Sequence, residues 1–96
     1  MSEQRSVEDK IWKVVFHRQA EKILHRLPKD LVSRLWRAIR NLASNPRPEG
    51  CKKLEGHDNL YRIRVGDWRI SYAVEDDTLI VLILEIAPRG GAYRKF

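Results

Sequence analysis

Between Thr78 and Ala87 the chain reads TLIVLILEIA, a run in which only Thr78 and Glu85 carry polar side chains. Ten residues are about half the length a helix needs to cross a bilayer. The run is rich in β-branched and long aliphatic side chains, a turn at Glu75 to Asp77 precedes it and Pro88 stops it, so it reads as a strand. A near-continuous apolar strand is central in a sheet and buried on both faces. A chain that holds it must therefore fold around a sheet.

The neighbours of that strand lie just upstream, in YRIRVGDWRISY from Tyr61 to Tyr72. Tyr61, Ile63 and Val65 alternate with Arg62 and Arg64, and Trp68, Ile70, Tyr72 and Val74 alternate in the same way. Gly66-Asp67 between them is a two-residue hairpin turn. Such a turn sets Val65 opposite Trp68, so Arg64 stands opposite Arg69 and Arg62 opposite Ser71. Three guanidiniums then share one face of one hairpin. Like charges directly opposite each other cost a few tenths to about 1 kcal/mol.

The first half of the chain supplies what covers the other face. IWKVVFH, Ile11 to His17, is β-branched and aromatic enough for a first strand. Ala20, Ile23, Leu24 and Leu27 recur at helical spacing, and Pro28 opens a second helix with Asp30 near its positive end. Leu31, Leu35, Ile39 and Leu42 form the stripe of that helix, widened by Val32, Trp36 and Ala43. Arg34, Arg37, Arg40 and Asn41 fall outside it. Ser44 to Gly50, SNPRPEG, ends the helix, and CKKLEGHDN follows as a loop or irregular edge. The order is β-α-α-β-β-β, an α+β fold in which an αα-hairpin covers one face of a small, largely antiparallel sheet. Trp12, Trp36 and Trp68 read as core, His17 and His25 as surface or helix-end residues, and Cys51 as a small loop residue.

Composition narrows the classes. The 96 residues make one domain, spanning 1–96, with residues 1–10 expected as a flexible lead-in. A polar N-terminus and the absence of a long apolar segment argue against a signal peptide or membrane span. One cysteine suits a reducing compartment, so a cytoplasmic location is expected. A net charge of +6 and a pI near 9.8 invite an anionic partner. Most of that excess lies in residues 1–44, at +5, against +1 for the remainder. The hairpin arginines are therefore clustered by placement and not by general basicity.

The KLEG lead-in, the LYRIRVGDWRISY hairpin, the long apolar strand, and an arginine followed four residues later by tyrosine resemble the RelE/ParE superfamily of toxins from toxin–antitoxin systems. The LPKDL junction between the helices is also similar, and the resemblance spans roughly residues 11–94. In its RelE-like form it implies a ribosome-dependent mRNA endoribonuclease held inactive by an antitoxin. It further implies that Arg62 and Arg64, Arg69, Arg89 and Tyr93 surround the scissile phosphate. In its ParE-like form it implies a gyrase inhibitor without nuclease activity. An inactive member that only binds its antitoxin is a third form.

Cleavage of RNA by its own 2′-OH gathers negative charge on the phosphate, which planar guanidinium forks bind bidentately. The reaction calls for no metal or other cofactor, and the sequence offers no metal motif. The phenol of Tyr93 is of a type that can stack on a base or move a proton. RelE-like members often carry lysine on the first hairpin strand, whereas here both positions are arginine, which effectively never deprotonates. The proton-accepting role then passes to Tyr93, His57 or Glu85, in that order. Gly90-Gly91 before Tyr93 is a further departure. The outer face of the second helix, with Arg34 and Arg37, and the loop residues Lys52, Lys53 and His57 are expected to touch RNA phosphates. The resemblance implies as partners the ribosome, its mRNA and an acidic antitoxin, with operator DNA reached only through that antitoxin and no membrane. On residue chemistry alone, alternating arginines also describe an ordinary solvated face.

Overall fold

In a computed structural model, residues 11–88 are described, and they arrange as two helices on a five-stranded mixed sheet. The lead-in expected over residues 1–10, and Arg89, Gly90, Gly91 and Tyr93, lie outside the described residues. In chain order the elements are β1 (Lys13–Phe16), α1 (Arg18–Arg26), α2 (Lys29–Ser44), β2 (Lys52–Lys53), β3 (Leu60–Val65), β4 (Trp68–Glu75) and β5 (Ile80–Pro88). The spatial order is β1-β5-β4-β3-β2, with β1 parallel to β5 and every other pair antiparallel. The long apolar run is thus an interior strand. Of the two forms expected for their segment, a loop or an irregular edge, Lys52 and Lys53 take the second, as a two-residue edge strand beside β3.

Helix α1 starts where His17, in extended conformation, accepts a hydrogen bond at Nδ1 from the Gln19 N–H at 3.1 Å. It ends in His25 and Arg26, which favour its negative end. Pro28 caps α2 from outside the helix, where its ψ of 150° is extended and its carbonyl accepts from the Val32 N–H at 3.0 Å. The ring fixes φ at −61°, which the cap tolerates, so Pro28 stands one position before the first turn.

Both helices lie on one face of the sheet. Ala20 and Leu24 from α1, and Leu35, Ile39 and Leu42 from α2, are buried against Tyr61, Ile70, Tyr72, Val74, Val81, Ile83 and Ile86. Trp12 and Trp68 pack partly buried on this cluster. Trp36 does not enter it: its side chain lies edge-on to Phe16 at 5.5 Å and is 39% exposed. The α2 stripe is narrower than seven apolar residues suggest, because only Leu35, Ile39 and Leu42 project straight at the sheet.

The expectation that β5 is buried on both faces also needs correction. Val81, Ile83 and Ile86 are buried, whereas Leu82, Leu84 and Glu85 are only half-buried. A β-bulge separates the two sets: Tyr72 pairs with Ile83 but Ser71 pairs with Glu85, leaving Leu84 as the extra residue. Strict alternation would carry Glu85 onto the helix-covered face with Val81 and Ile83. The bulge turns it to the other face and lets Ile86 take the core position. Among the described residues no helix is long and apolar enough to cross a membrane.

Candidate functional site

The hairpin forms in the expected register. Val65 pairs with Trp68, Arg64 with Arg69 and Arg62 with Ser71. Gly66 has φ +63°, and it alone of the two turn residues is positive, as a type II′ turn requires. A side chain at Gly66 would also collide with the Arg34 guanidinium, which reaches from α2 to this turn. Glycine is needed there for its conformation, since the exposed end of Arg34 can swing away from an added side chain.

Across the sheet the face turned away from the helices is ordered in rows. Lys52, Arg62, Ser71 and Glu85 are successive partners on β2, β3, β4 and β5. Arg64, Arg69 and Ala87 make the next row. These rows floor a groove of about 450 Å³ lined by Gly50, Lys52, Arg62, Ile63, Arg64 and Arg69. Four of the six lining residues are cations and none is an acid. Ser71, the partner of Arg62 on β4, is small and buried. A groove of this kind attracts a phosphate chain, and its guanidinium forks bind non-bridging oxygens in pairs.

One wall of the groove depends on residues that sequence reading passed over. Arg47, between two prolines, donates from Nε to the Tyr61 hydroxyl at 2.9 Å and from both terminal nitrogens to the Asp76 carboxylate at 3.3 and 2.8 Å. Its guanidinium also lies over the Tyr61 ring, 5.1 Å from the centroid. The bond to Asp76, then that to Tyr61, holds its pKa above the ordinary arginine value. One residue earlier, the Pro46 carbonyl accepts from the buried Tyr72 hydroxyl at 2.7 Å. Burial, with the neighbouring Cys51 thiol adding to it, raises the Tyr72 pKa well above the usual phenol value. Together these contacts fasten the segment before β2 to the sheet and so fix where Gly50 and Lys52 stand. An arginine flanked by prolines was the available signal, a charged fork on a stiff stretch of backbone.

Of the expected site residues, the fold brings Arg62, Arg64, Arg69 and Lys52 together. Lys53 pairs with Tyr61 and so belongs to the opposite parity of β2. His57 is exposed in the β2–β3 loop and does not line the groove. Arg34 sits against the hairpin turn, and Arg37 lines a separate depression on α2 with Trp36 and Arg40. Glu85 ends the row of Arg62. Among the described residues no group of three or more His, Cys, Asp or Glu side chains is placed to hold a metal ion.

Comparison with known proteins agrees with this geometry. The family model for the ParE toxin of the type II toxin–antitoxin system parDE matches residues 14–93. A Methanocaldococcus jannaschii protein named RelE1 is 36% identical over 84 residues, which cover 84% of this chain and 93% of that protein. RelE in the RelE–RelB complex of Pyrococcus horikoshii is 36% identical and superposes with a TM-score of 0.75, covering 85% of this chain and 99% of that one. Isolated Escherichia coli RelE shares the fold at a TM-score of 0.75 and 22% identity, over 84% of this chain and 87% of its own. With a family model matched across most of its length and a relative this similar, the chain belongs to the ParE toxin family, within the RelE/ParE superfamily of type II toxin–antitoxin systems.

Proposed function

We propose that this toxin is a ribosome-dependent mRNA endoribonuclease whose arginine groove receives the scissile phosphate. The observation that carries the reading is the convergence of Lys52, Arg62, Arg64 and Arg69 on one groove. A phosphate lying between Arg64 and Arg69 relieves the repulsion of two guanidiniums set opposite each other. As the 2′-OH attacks in line and the 5′-oxygen leaves, the added negative charge falls on oxygens already faced by those forks. Arg62 holds the adjoining part of the backbone.

Attack requires a group to take the 2′-OH proton and another to protonate the leaving 5′-oxygen. Of the groove cations only Lys52 can exist as a neutral amine, since arginine stays charged. Glu85, at the end of the Lys52–Arg62–Ser71 row, is the nearest carboxylate by register. Tyr93 and Arg89 complete the set that family resemblance implies. His57 drops below Glu85 because it lies in the β2–β3 loop, whereas Glu85 shares the cross-strand row of Arg62.

The natural inhibitor in this reading is an acidic antitoxin, which competes with RNA for the same arginines. The Pyrococcus horikoshii relative was crystallised with RelB, which supports a partner of that kind. The place of action is the cytoplasm, where ribosomes and mRNA meet.

The test is a reconstituted translation reaction with programmed mRNA, in which cleavage is mapped by primer extension. A cut in the decoding site that disappears with Arg69→Ala supports the nuclease. The matched family model is that of a ParE toxin, which favours gyrase inhibition as the second reading. Inhibited supercoiling with intact mRNA would select it and reduce the groove to a binding surface.

A further inference from the structure

Stabilising charge on a phosphate is only part of RNA cleavage. The attacking 2′-OH must also lose a proton and the departing 5′-oxygen must gain one. Because attack and departure are in line, these transfers happen on opposite sides of the phosphorus. Arginine serves neither, since it keeps its protons. Among the described residues that line the groove, Lys52 is the one cation able to hand a proton over.

Strand register supplies a counterpart at the far end of the same row. Lys52 faces Arg62, Arg62 faces Ser71 and Ser71 faces Glu85, so the row begins in an ammonium on β2 and ends in a carboxylate on β5. Three strand spacings of about 4.8 Å set those ends roughly 14 Å apart at the backbone. Two side chains leaning inward, two hydrogen bonds of about 2.8 Å and a phosphate match that span. The bulge at Leu84 is what brings Glu85 into the row, because strict alternation would send it to the core side with Val81 and Ile83. Neither Lys52 nor Glu85 takes part in an ion pair or side-chain hydrogen bond among the described residues. Glu85 therefore does not act as a plain neutraliser of Arg62.

We propose that Glu85 and Lys52 are the base and the acid of this cleavage: the Glu85 carboxylate takes the 2′-OH proton and the Lys52 ammonium protonates the leaving 5′-oxygen. The inference rests on the nuclease reading and assigns its two proton transfers. As the bond from O2′ to phosphorus forms and that to O5′ breaks, Glu85 gains one proton and Lys52 loses one. The products are a 2′,3′-cyclic phosphate and a 5′-hydroxyl, and exchange with water restores both side chains. Arg62, Arg64 and Arg69 keep their charge throughout and hold the phosphate between the two ends.

The test uses the full chain on ribosomes programmed with two mRNAs, once the cut has been mapped by primer extension. One mRNA is ordinary, and in the other sulfur replaces the 5′-oxygen at the cut. Sulfur departs as a thiolate and needs no acid. Single-turnover cleavage is compared for wild type, Lys52→Arg and Glu85→Gln. Lys52→Arg keeps the positive charge and removes only the transferable proton. On ordinary mRNA both variants are expected to be slower by about a hundredfold or more. On the sulfur-substituted mRNA Lys52→Arg should come within about threefold of wild type, whereas Glu85→Gln should stay slow. Lys52→Arg that cuts ordinary mRNA at the wild-type rate, or stays slow on the sulfur substrate, would overturn the role of Lys52. Glu85→Gln that matches wild type, or is rescued by sulfur, would overturn that of Glu85. If wild type cuts neither mRNA, the nuclease reading itself fails and the pair falls with it, an outcome distinct from active wild type with indifferent variants.

Discussion

The two faces of the sheet are built from the same strands and carry opposite burdens. On the helix-covered face, Ile70, Tyr72 and Val74 of β4 and Val81 and Ile83 of β5 are almost wholly removed from water. On the other face the same strands present Arg69 and Ser71, and Leu82 and Glu85, beside Arg62 and Arg64 of β3. Period-two alternation lets one segment do both jobs. The covered face gains stability from every side chain, whereas the arginine face sets two guanidiniums opposite each other, an arrangement that a bound anion favours. Stability and binding are therefore separable by parity along a strand.

The largest effect should come from the covered face. Ile39 on α2 is fully buried, so Ile39→Ala is expected to cost about 2–5 kcal/mol in urea unfolding. A loss below about 1 kcal/mol would mean that α2 is not packed on the sheet as described. Next comes Tyr72→Phe, which removes the hydroxyl that donates to the Pro46 carbonyl and should cost about 1 kcal/mol. The same substitution has a pH signature. Burial raises the folded-state pKa of Tyr72 above its unfolded value near 10, so the folded state holds the proton more tightly. That contribution is fully present below about pH 10 and is lost as pH rises towards the folded pKa. Wild type should therefore lose stability more steeply than Tyr72→Phe between about pH 10 and 11.5, measured by urea midpoints. Parallel slopes would show that the phenol is not held as the fold places it.

The arginine face should respond in the opposite direction. Arg64→Gln removes one of two facing guanidiniums, and unfolding measurements should find stability unchanged or raised by a few tenths to about 1 kcal/mol. Affinity for a short single-stranded RNA, followed by fluorescence anisotropy, should fall at the same time. A substitution that weakened both properties together would erase the distinction between the faces.

How much of this was legible in the sequence follows from how local each feature is. The pairing of Arg64 with Arg69 needs only alternation and a two-residue turn, both contained within twelve residues, and it was read correctly. Lys52 required a pairing across the β2–β3 loop, so it could be named as a phosphate contact but not set beside Arg62. The bulge at Leu84 was hidden by the apolar run itself, because a stretch without alternation does not show where its phase slips. Glu85, the single charge at the same parity as Val81 and Ile83, was the one trace of it. Trp36 was misplaced because a broad apolar stripe does not reveal which of its members lie at the margin. The Arg47 clamp joins three segments distant in sequence, and no periodicity announces it.

That clamp supplies the smallest and most discriminating test. Arg47 and Asp76 are both substantially exposed, so the ion pair is expected to be worth about 0.2–1 kcal/mol and to weaken with salt. Asp76→Asn should therefore barely move the unfolding midpoint, and the difference from wild type should shrink further in 1 M salt. Its effect on the groove should be larger in proportion. Asp76 lies beyond the end of β4, away from the groove lining, but it holds the guanidinium that anchors the segment leading to Gly50 and Lys52. Loosening that segment lets Lys52 drift from Arg62 while Arg64 and Arg69 keep their places on the hairpin. Affinity for a short single-stranded RNA should then fall a few-fold, and combining Asp76→Asn with Lys52→Ala should add little, because both act through the same amine. If the two losses add in full, the clamp serves stability alone, and Lys52 takes its position from the strand pairing by itself.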